Sequence, residues 1–421
     1  WNDLADFLKS RMKDDTGYPI STWLQGSYKF DTQIRPWTTG AQFDIDLGLY
    51  FEWAGSDDDG DYDPEGFKEL IQNALLDYAD DEDNDASGVE EPKERCCRIA
   101  FNPDFHIDVP CYHLDRAKDR RKAIYVWFKD LHDDKAIRAQ LRRLVCYFKM
   151  WAALKIEDEA SRPSSITLTV LVAEALDGID LSETRDDDDV LAEIITIIAD
   201  RLDDDTEVEN PIDTQENLNR LSDDANDNLR ERLREFEDTA RRANAATSEA
   251  TAAEIWTAAF EHFFPMPEDV EGEANATTAA RSDIAKNHAL VAYSFDPEIH
   301  VRAWSQNNEN YERFGVNELP TILKDCSIDF TLVNAASLPV GASVRWTVRN
   351  RGHEAWTKND IGHCSGDGYE VSEHSAYNGN HAMDLTVYQW GRIIGRRRIE
   401  INVRGTALAA RQLPAKRRFR R

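Results

Sequence analysis

The feature that most constrains this chain is a Gly-Ser turn, Trp23-Leu24-Gln25-Gly26-Ser27-Tyr28, followed seventeen residues beyond the serine by Asp44-Ile45-Asp46. Backbone N–H groups and a hydroxyl in such a turn can grip a phosphate, above all where the turn opens a helix. Asp44 and Asp46 are two positions apart, so on a strand both side chains point to one face. Adjacent carboxylates repel, and either one takes a proton or a cation sits between them. Oxygen ligands of this kind suit Mg²⁺, with Mn²⁺ as the alternative, because the ion is held by a few carboxylates together with substrate phosphates. A third carboxylate from a neighbouring strand would complete the set. Phe105, Ile107 and Val109 alternate with His106 and Asp108, as a half-buried strand would, which makes Asp108 the candidate. In a chain with 80 acidic residues, solvated loop acids are the competing reading. The spacing behind a Gly-Ser turn argues instead for nucleotidyl transfer.

The run WLQGSYKFDTQIRPWTTGAQFDIDLGLY, then FHIDVPCY, then CYFKMW with RPSSITL, resembles the bacterial cyclic GMP-AMP synthases. These are CD-NTases, relatives of animal cyclic GMP-AMP synthase and of oligoadenylate synthase. The likeness covers residues 20–180, with the blocks in the right order. It implies an α+β fold: a polymerase-β-like nucleotidyltransferase with a helical lobe. It implies catalytic, metal-holding roles for Asp44, Asp46 and Asp108, and nucleotide contacts from Gln25, Gly26, Ser27, Arg98, Lys149 and Ser165. Arg98 would lie near the acceptor base, with a surface ion pair as the equal alternative. Lys149 would reach a triphosphate, as lysine commonly does, and Ser165 would touch a phosphate beside an ordinary helix-capping role. ATP and GTP are the implied substrates, and a separate effector activated by the cyclic product in anti-phage signalling is the implied partner. The best match for the product is 3′,3′-cyclic GMP-AMP. Other cyclic di- or trinucleotides, a linear 2′-5′ oligoadenylate, and a catalytically silent nucleotide sensor stay open.

Net charge is −30, extreme for a protein that handles nucleoside triphosphates. One reading is a generally acidic protein. The other is a high-salt host, favoured by Arg over Lys at 35 to 15 and by Asp runs at Asp57–Asp59, Asp186–Asp189 and Asp203–Asp205. Concentrated salt screens such repulsion, because the Debye length falls to ~3 Å at 1 M. The six cysteines show no Cys-x-x-Cys spacing, so reduced core thiols and a cytoplasmic location are expected. No apolar run approaches the ~20 residues of a membrane span. The short basic clusters give no expectation of sequence-specific nucleic-acid binding.

Along the chain, residues 1–130 are expected to form the catalytic core, 131–320 the helical lobe, 321–405 a β domain and 406–421 a basic tail. Trp1, Leu4, Leu8 and Met12 share a helical face, as do Phe67, Ile71, Leu75 and Tyr78, and so do Leu141, Leu144, Val145, Phe148 and Trp151. The acidic stretch Asp80–Glu91 is expected to be a solvated loop. A hairpin through Asn102-Pro103 is expected to join the strands of Arg98 and Asp108. From Asp177 to about Leu290 the pattern is helical. Near Pro320 it changes to short β runs at Cys326–Val333, Ser343–Val348, Met383–Trp390 and Arg397–Val403. This part resembles the C-terminal sensor-type β domain of some bacterial nucleotidyltransferases, a small sandwich-like all-β module. Arg345, Trp346, Tyr377 and His381 are candidates for a ligand pocket there, with core and turn roles as the blander account.

Overall fold

A computed structural model describes residues 1–38, 41–101, 105–181, 185–265, 294–305, 308–390 and 392–405. The expected turn at Asn102-Pro103, the end of the helical stretch at 266–293 and the tail from 406 lie outside the described residues. The chain divides into two compact units, Trp1–Asp238 and Thr239–Arg421.

The first unit is built on a sheet whose strands are β1 (Ile20–Gln25), β2 (Phe43–Glu52), β3 (Ala86–Val89), β4 (Cys97–Phe101), β5 (Phe105–Val109) and β6 (Cys111–Leu114). Their order is β1-β2-β5-β4-β3, with β6 also paired to β2. β2 runs parallel to β5 and antiparallel to β1. Alternation divides the two faces. Ile45, Leu47, Leu49 and Phe51 on β2, with Ile99, Ile107 and Val109, form one buried cluster. Helices α1 (Asn2–Thr16) and α3 (Pro64–Asp80) close it with Leu4, Leu8, Met12, Ile71 and Leu75. The alternate residues Asp44, Asp46, His106 and Asp108 therefore belong to the opposite face. β3 corrects the expectation of a loop at Asp80–Glu91. Ala86 and Val89 pack against the core, and the strand pairs with β4 as a short sheet edge. Its acidic flanks hid it.

The helical part comprises α4 (Ala123–Asp130), α5 (Lys135–Lys155), α6 (Ser165–Asp177), α7 (Asp187–Asp204) and α8 (Asp223–Asn244), with the small hairpin of β7 (Glu209–Asn210) and β8 (Asp213–Asn217) between the last two. The buried stripe of α5 meets α8 where Trp151 stacks on Phe236 at a ring separation of 4.8 Å. Ser164 caps α6 by accepting from the Thr167 N–H at 3.2 Å.

The second unit holds α9 (Glu249–Phe260), β9 (Ile299–Ser305), β10 (Asn308–Val316), β11 (Ser327–Leu332), β12 (Ala342–Arg349), the short α10 (His353–Thr357), β13 (Gly362–Gly366), β14 (Glu370–His374), β15 (Gly379–Gln389) and β16 (Arg392–Val403). Two four-stranded antiparallel sheets, β10-β9-β11-β14 and β13-β12-β15-β16, share one apolar core. Phe330, Trp346, Met383 and Ile399 are wholly buried in it. β9 and β10 precede residue 321, the boundary expected from sequence. β9 pairs with β11, so its apolar side belongs to the β core and not to the helices. Of the six cysteines Cys364 is exposed, which corrects the expectation of core thiols throughout.

Candidate active site

Strand register assembles the site. Gln25 on β1 is opposite Asp46 on β2, Asp46 is opposite Asp108 on β5, and Asp108 is opposite Arg98 on β4. One step along, Asp44 is opposite His106. Asp44, His106 and Asp108 each offer a ligand atom within 4.8 Å of the others. Asp46 lies beside this trio.

Each charge has a distinct neighbourhood. Arg98 clasps Asp108 through Nε and Nη2, at 2.5 and 2.8 Å. Burial works against the charge on Asp108, but the hydrogen bonds and charge of Arg98 prevail and hold the carboxyl below its usual range. Asp46 has no such partner. Burial first, then the like charges of Asp44 and Asp108, push it up to about 6. Asp44 Oδ1 and His106 Nε2 lie 2.9 Å apart, yet each is a buried atom without a hydrogen bond. Orphaned donor atoms, converging carboxylates and a carboxyl that resists ionisation are together the environment a divalent cation relieves. The residues present fit a divalent cation.

The stability consequence of Asp46 follows from linkage. Its folded value lies above the roughly 4 of an unfolded aspartate. Its contribution is therefore fullest below about pH 4, is lost as pH rises towards 6, and stays lost above. Asp46→Asn should stabilise the metal-free protein at neutral pH by on the order of 2 kcal/mol. Melting in EDTA checks this. The gap between variant and parent should close near pH ~4 and shrink when Mg²⁺ is added, since the ion binds the ionised parent site.

The Gly-Ser turn does open a helix, α2 (Gly26–Phe30), whose N-cap Gln25 makes no side-chain cap. Its first-turn amides have no intrahelical partners and can take a phosphate. Gly26 has φ +61°, and a Cβ there would come within 1.8 Å of Asp46 Oδ2. Only glycine brings this turn so close to the carboxylates. Gly26→Ala should cut pyrophosphate release about 100-fold, the scale on which small misplacements slow aligned reactions. An unchanged rate would contradict the placement.

The other expected contacts are placed less directly. Gln25 donates to the Tyr50 hydroxyl and its Oε1 accepts from the Tyr112 hydroxyl at 3.4 Å, beneath a stacked Tyr50–Tyr112 pair. Arg98 is 18% exposed and paired through Nε and Nη2 with Asp108. The Lys149 ammonium donates to the Thr32 carbonyl at 3.2 Å and to Oγ1 at 2.9 Å. Burial lowers it to about 8. It thus anchors the start of the loop that leaves α2, where Thr32 N–H in turn donates to Ser27 O at 3.0 Å. Ser165 is exposed in the first turn of α6, and Ser164 does the capping. His106 was not among the expected site residues, although its place two positions before Asp108 gave the signal.

A sheet with converging acids on the face opposite its helices, beside a Gly-Ser helix, defines a polymerase-β-type nucleotidyltransferase. Residues 20–112 match the family model "Cyclic GMP-AMP synthase DncV-like, nucleotidyltransferase domain", and residues 279–404 match "Adenylyl/Guanylyl and SMODS C-terminal sensor domain". The chain belongs to the CD-NTase family, with a C-terminal sensor domain. It is 28% identical to the cyclic GMP-AMP synthase of Escherichia albertii, over 96% of this chain and 89% of that protein. It is 25% identical to a c-di-GMP synthase of Roseivirga ehrenbergii, over 44% of this chain and 57% of that protein. Among solved structures, the Vibrio cholerae di-nucleotide cyclase DncV in complex with GTP and 5MTHFGLU2 shares the fold. Its TM-score is 0.51 at 21% identity, covering 64% of this chain and 77% of that one. Among the described residues no helix is long and apolar enough to cross a membrane.

Proposed function

We propose that this protein joins ATP and GTP into 3′,3′-cyclic GMP-AMP, a messenger that switches on a separate effector in defence against phage. The observation that carries the reading is the convergence of Asp44, His106 and Asp108 within 4.8 Å. The near full-length likeness to a cyclic GMP-AMP synthase supports the choice of product.

Asp44, Asp46 and Asp108 would hold a pair of divalent metal ions, with His106 beside them. When bound, the metal supplies a lowered pKa for the attacking ribose hydroxyl and neutralises charge on the α-phosphate and departing pyrophosphate. The chain's own residues align the reactants. Gly26 and Ser27 orient the triphosphate through the first turn of α2, and Lys149 fixes the loop behind it. Arg98 keeps Asp108 ionised and fixed in rotamer. Catalysis is then mostly positioning and charge stabilisation. A first transfer leaves a linear dinucleotide bearing its triphosphate; the second, after the intermediate re-binds turned around, closes the ring.

Purified chain incubated with labelled ATP and GTP, Mg²⁺ or Mn²⁺, and then alkaline phosphatase tests the reading. A phosphatase-resistant product that requires both nucleotides is expected. Complete digestion would identify a linear oligonucleotide. Nucleotide binding without metal-dependent turnover would identify a silent sensor. We also read the acidity as an adaptation to concentrated salt, so the melting temperature should rise with salt; full stability in dilute buffer would refute it.

A further inference from the structure

The C-terminal unit holds a partly open cavity of about 190 Å³ that nucleotidyl transfer does not use. It lies within the sandwich, with Phe330 of one sheet and Val348 and Met383 of the other among its apolar walls. Its polar part is built around Asp360, His363 and Glu373. The Tyr377 hydroxyl donates to Asp360 Oδ2 at 2.9 Å, and Asn350 Nδ2 donates to Oδ1 at 3.2 Å. His363 Nε2 lies 3.1 Å from Glu373 Oε1, and its Nδ1 lies 3.7 Å from Asp360 Oδ1. These two carboxylates hold the imidazole protonated, raising it to about 9. Two carboxylates against one imidazolium leave this cluster negative by one charge at neutral pH.

Of the four residues suggested for a pocket by sequence, Tyr377 and His381 do line this cavity. Trp346 is wholly buried in the core, and Arg345 is paired with Glu261 and Asp367, so neither supplies a cationic wall. His381 is also committed: its Nδ1 accepts from the Arg351 N–H at 3.3 Å and its Nε2 donates to the Tyr377 carbonyl at 3.0 Å. An anion would meet net negative charge here. A bare metal ion would gain nothing from the apolar walls. The volume is below the ~300 Å³ at which drug-sized sites begin, so the occupant is a single ring or a short chain.

We propose that this cavity binds a small organic cation, with a compact apolar body held between the two sheets and an amine or amidine head on the Asp360–Glu373 carboxylates. The assignment stands whether or not the cyclic product is the one proposed above. Benzamidine is a suitable probe, and benzoate is its counterpart of like shape and opposite charge. Titration of the full chain, followed by ligand-observed NMR, should show saturable binding of benzamidine and none of benzoate. Asp360→Asn and Glu373→Gln should each weaken benzamidine about tenfold or more, as expected for loss of a charged hydrogen-bond partner. If Asp360→Asn fails to fold, the Glu373→Gln result decides, because Glu373 sits on the short strand β14 with fewer ties. Benzoate binding as tightly as benzamidine, no saturable benzamidine binding, or unchanged affinity in the folded variants would each overturn the proposal.

Discussion

Asp44→Asn is expected to abolish pyrophosphate release from ATP plus GTP, a loss of at least ~10³-fold, while leaving the fold intact. The side chain is 47% exposed on the open face of the sheet, so the amide replaces it without disturbing the core. What disappears is a charge in a cluster whose role is to carry charge. Its near neighbours are His106 at 2.9 Å and Arg98 at 4.0 Å, neither of which can replace an anionic oxygen. Pyrophosphate release at saturating Mg²⁺, measured beside the melting temperature, separates the two effects. Undiminished turnover would remove the metal assignment from Asp44. Asp108→Asn makes an informative companion: it loses the same chemistry and also leaves the Arg98 guanidinium without its bidentate partner. That variant should be both inactive and less stable.

The contrast between these two aspartates shows what the sequence could convey. Two-residue periodicity placed Asp44 with Asp46 and His106 with Asp108, because a strand with one buried face leaves its alternate positions no choice. It said nothing of which strands are neighbours. The parallel pairing of β2 with β5, and hence the meeting of Asp44 with His106, depends on α3 and on the whole loop between. Arg98 could be named as a candidate from the sequence but not as the clasp of Asp108, since that requires the register of β4 against β5. Lys149 shows the same limit, for its partner Thr32 lies 117 positions away. In the second unit, β9 alternates cleanly, whereas β13 (GHCSG) and β14 (EVSEH) contain almost no apolar residues. They are strands because their neighbours pair with them, and composition alone could not reveal them.

Asp384→Asn is expected to cost about 3–5 kcal/mol, the scale for breaking a buried ion pair from one side. Asp384 is 2% exposed in β15. It accepts from Arg349 Nε at 2.8 Å, Arg398 Nε at 2.6 Å and Arg396 Nη2 at 3.1 Å. Burial opposes its charge, but Arg396, Arg398 and Arg349 overcome that and hold the carboxyl far below the usual range. An asparagine would leave the three guanidinium groups to repel each other in a dry interior. Two of them also grip the helical segment: Arg349 donates to the carbonyls of Glu261, His262 and Phe264, and Arg396 Nη1 lies 3.2 Å from Glu254 on α9. Urea denaturation, with hydrogen exchange read at β12, β15 and β16, measures the loss; a change below about 0.5 kcal/mol would contradict it. The sign with pH is fixed too. A depressed folded value gives stability that is present above the unfolded value of about 4 and is lost only as pH falls beyond it. Parent and variant should therefore stay equally separated from about pH 5 to 8, and a gap closing near pH 6 would point to another group. Arg349 and Asp384 adjoin Val348 and Met383 of the cavity wall, so β12 and β15 present the cavity on one face and this buried arginine–aspartate cluster on the other.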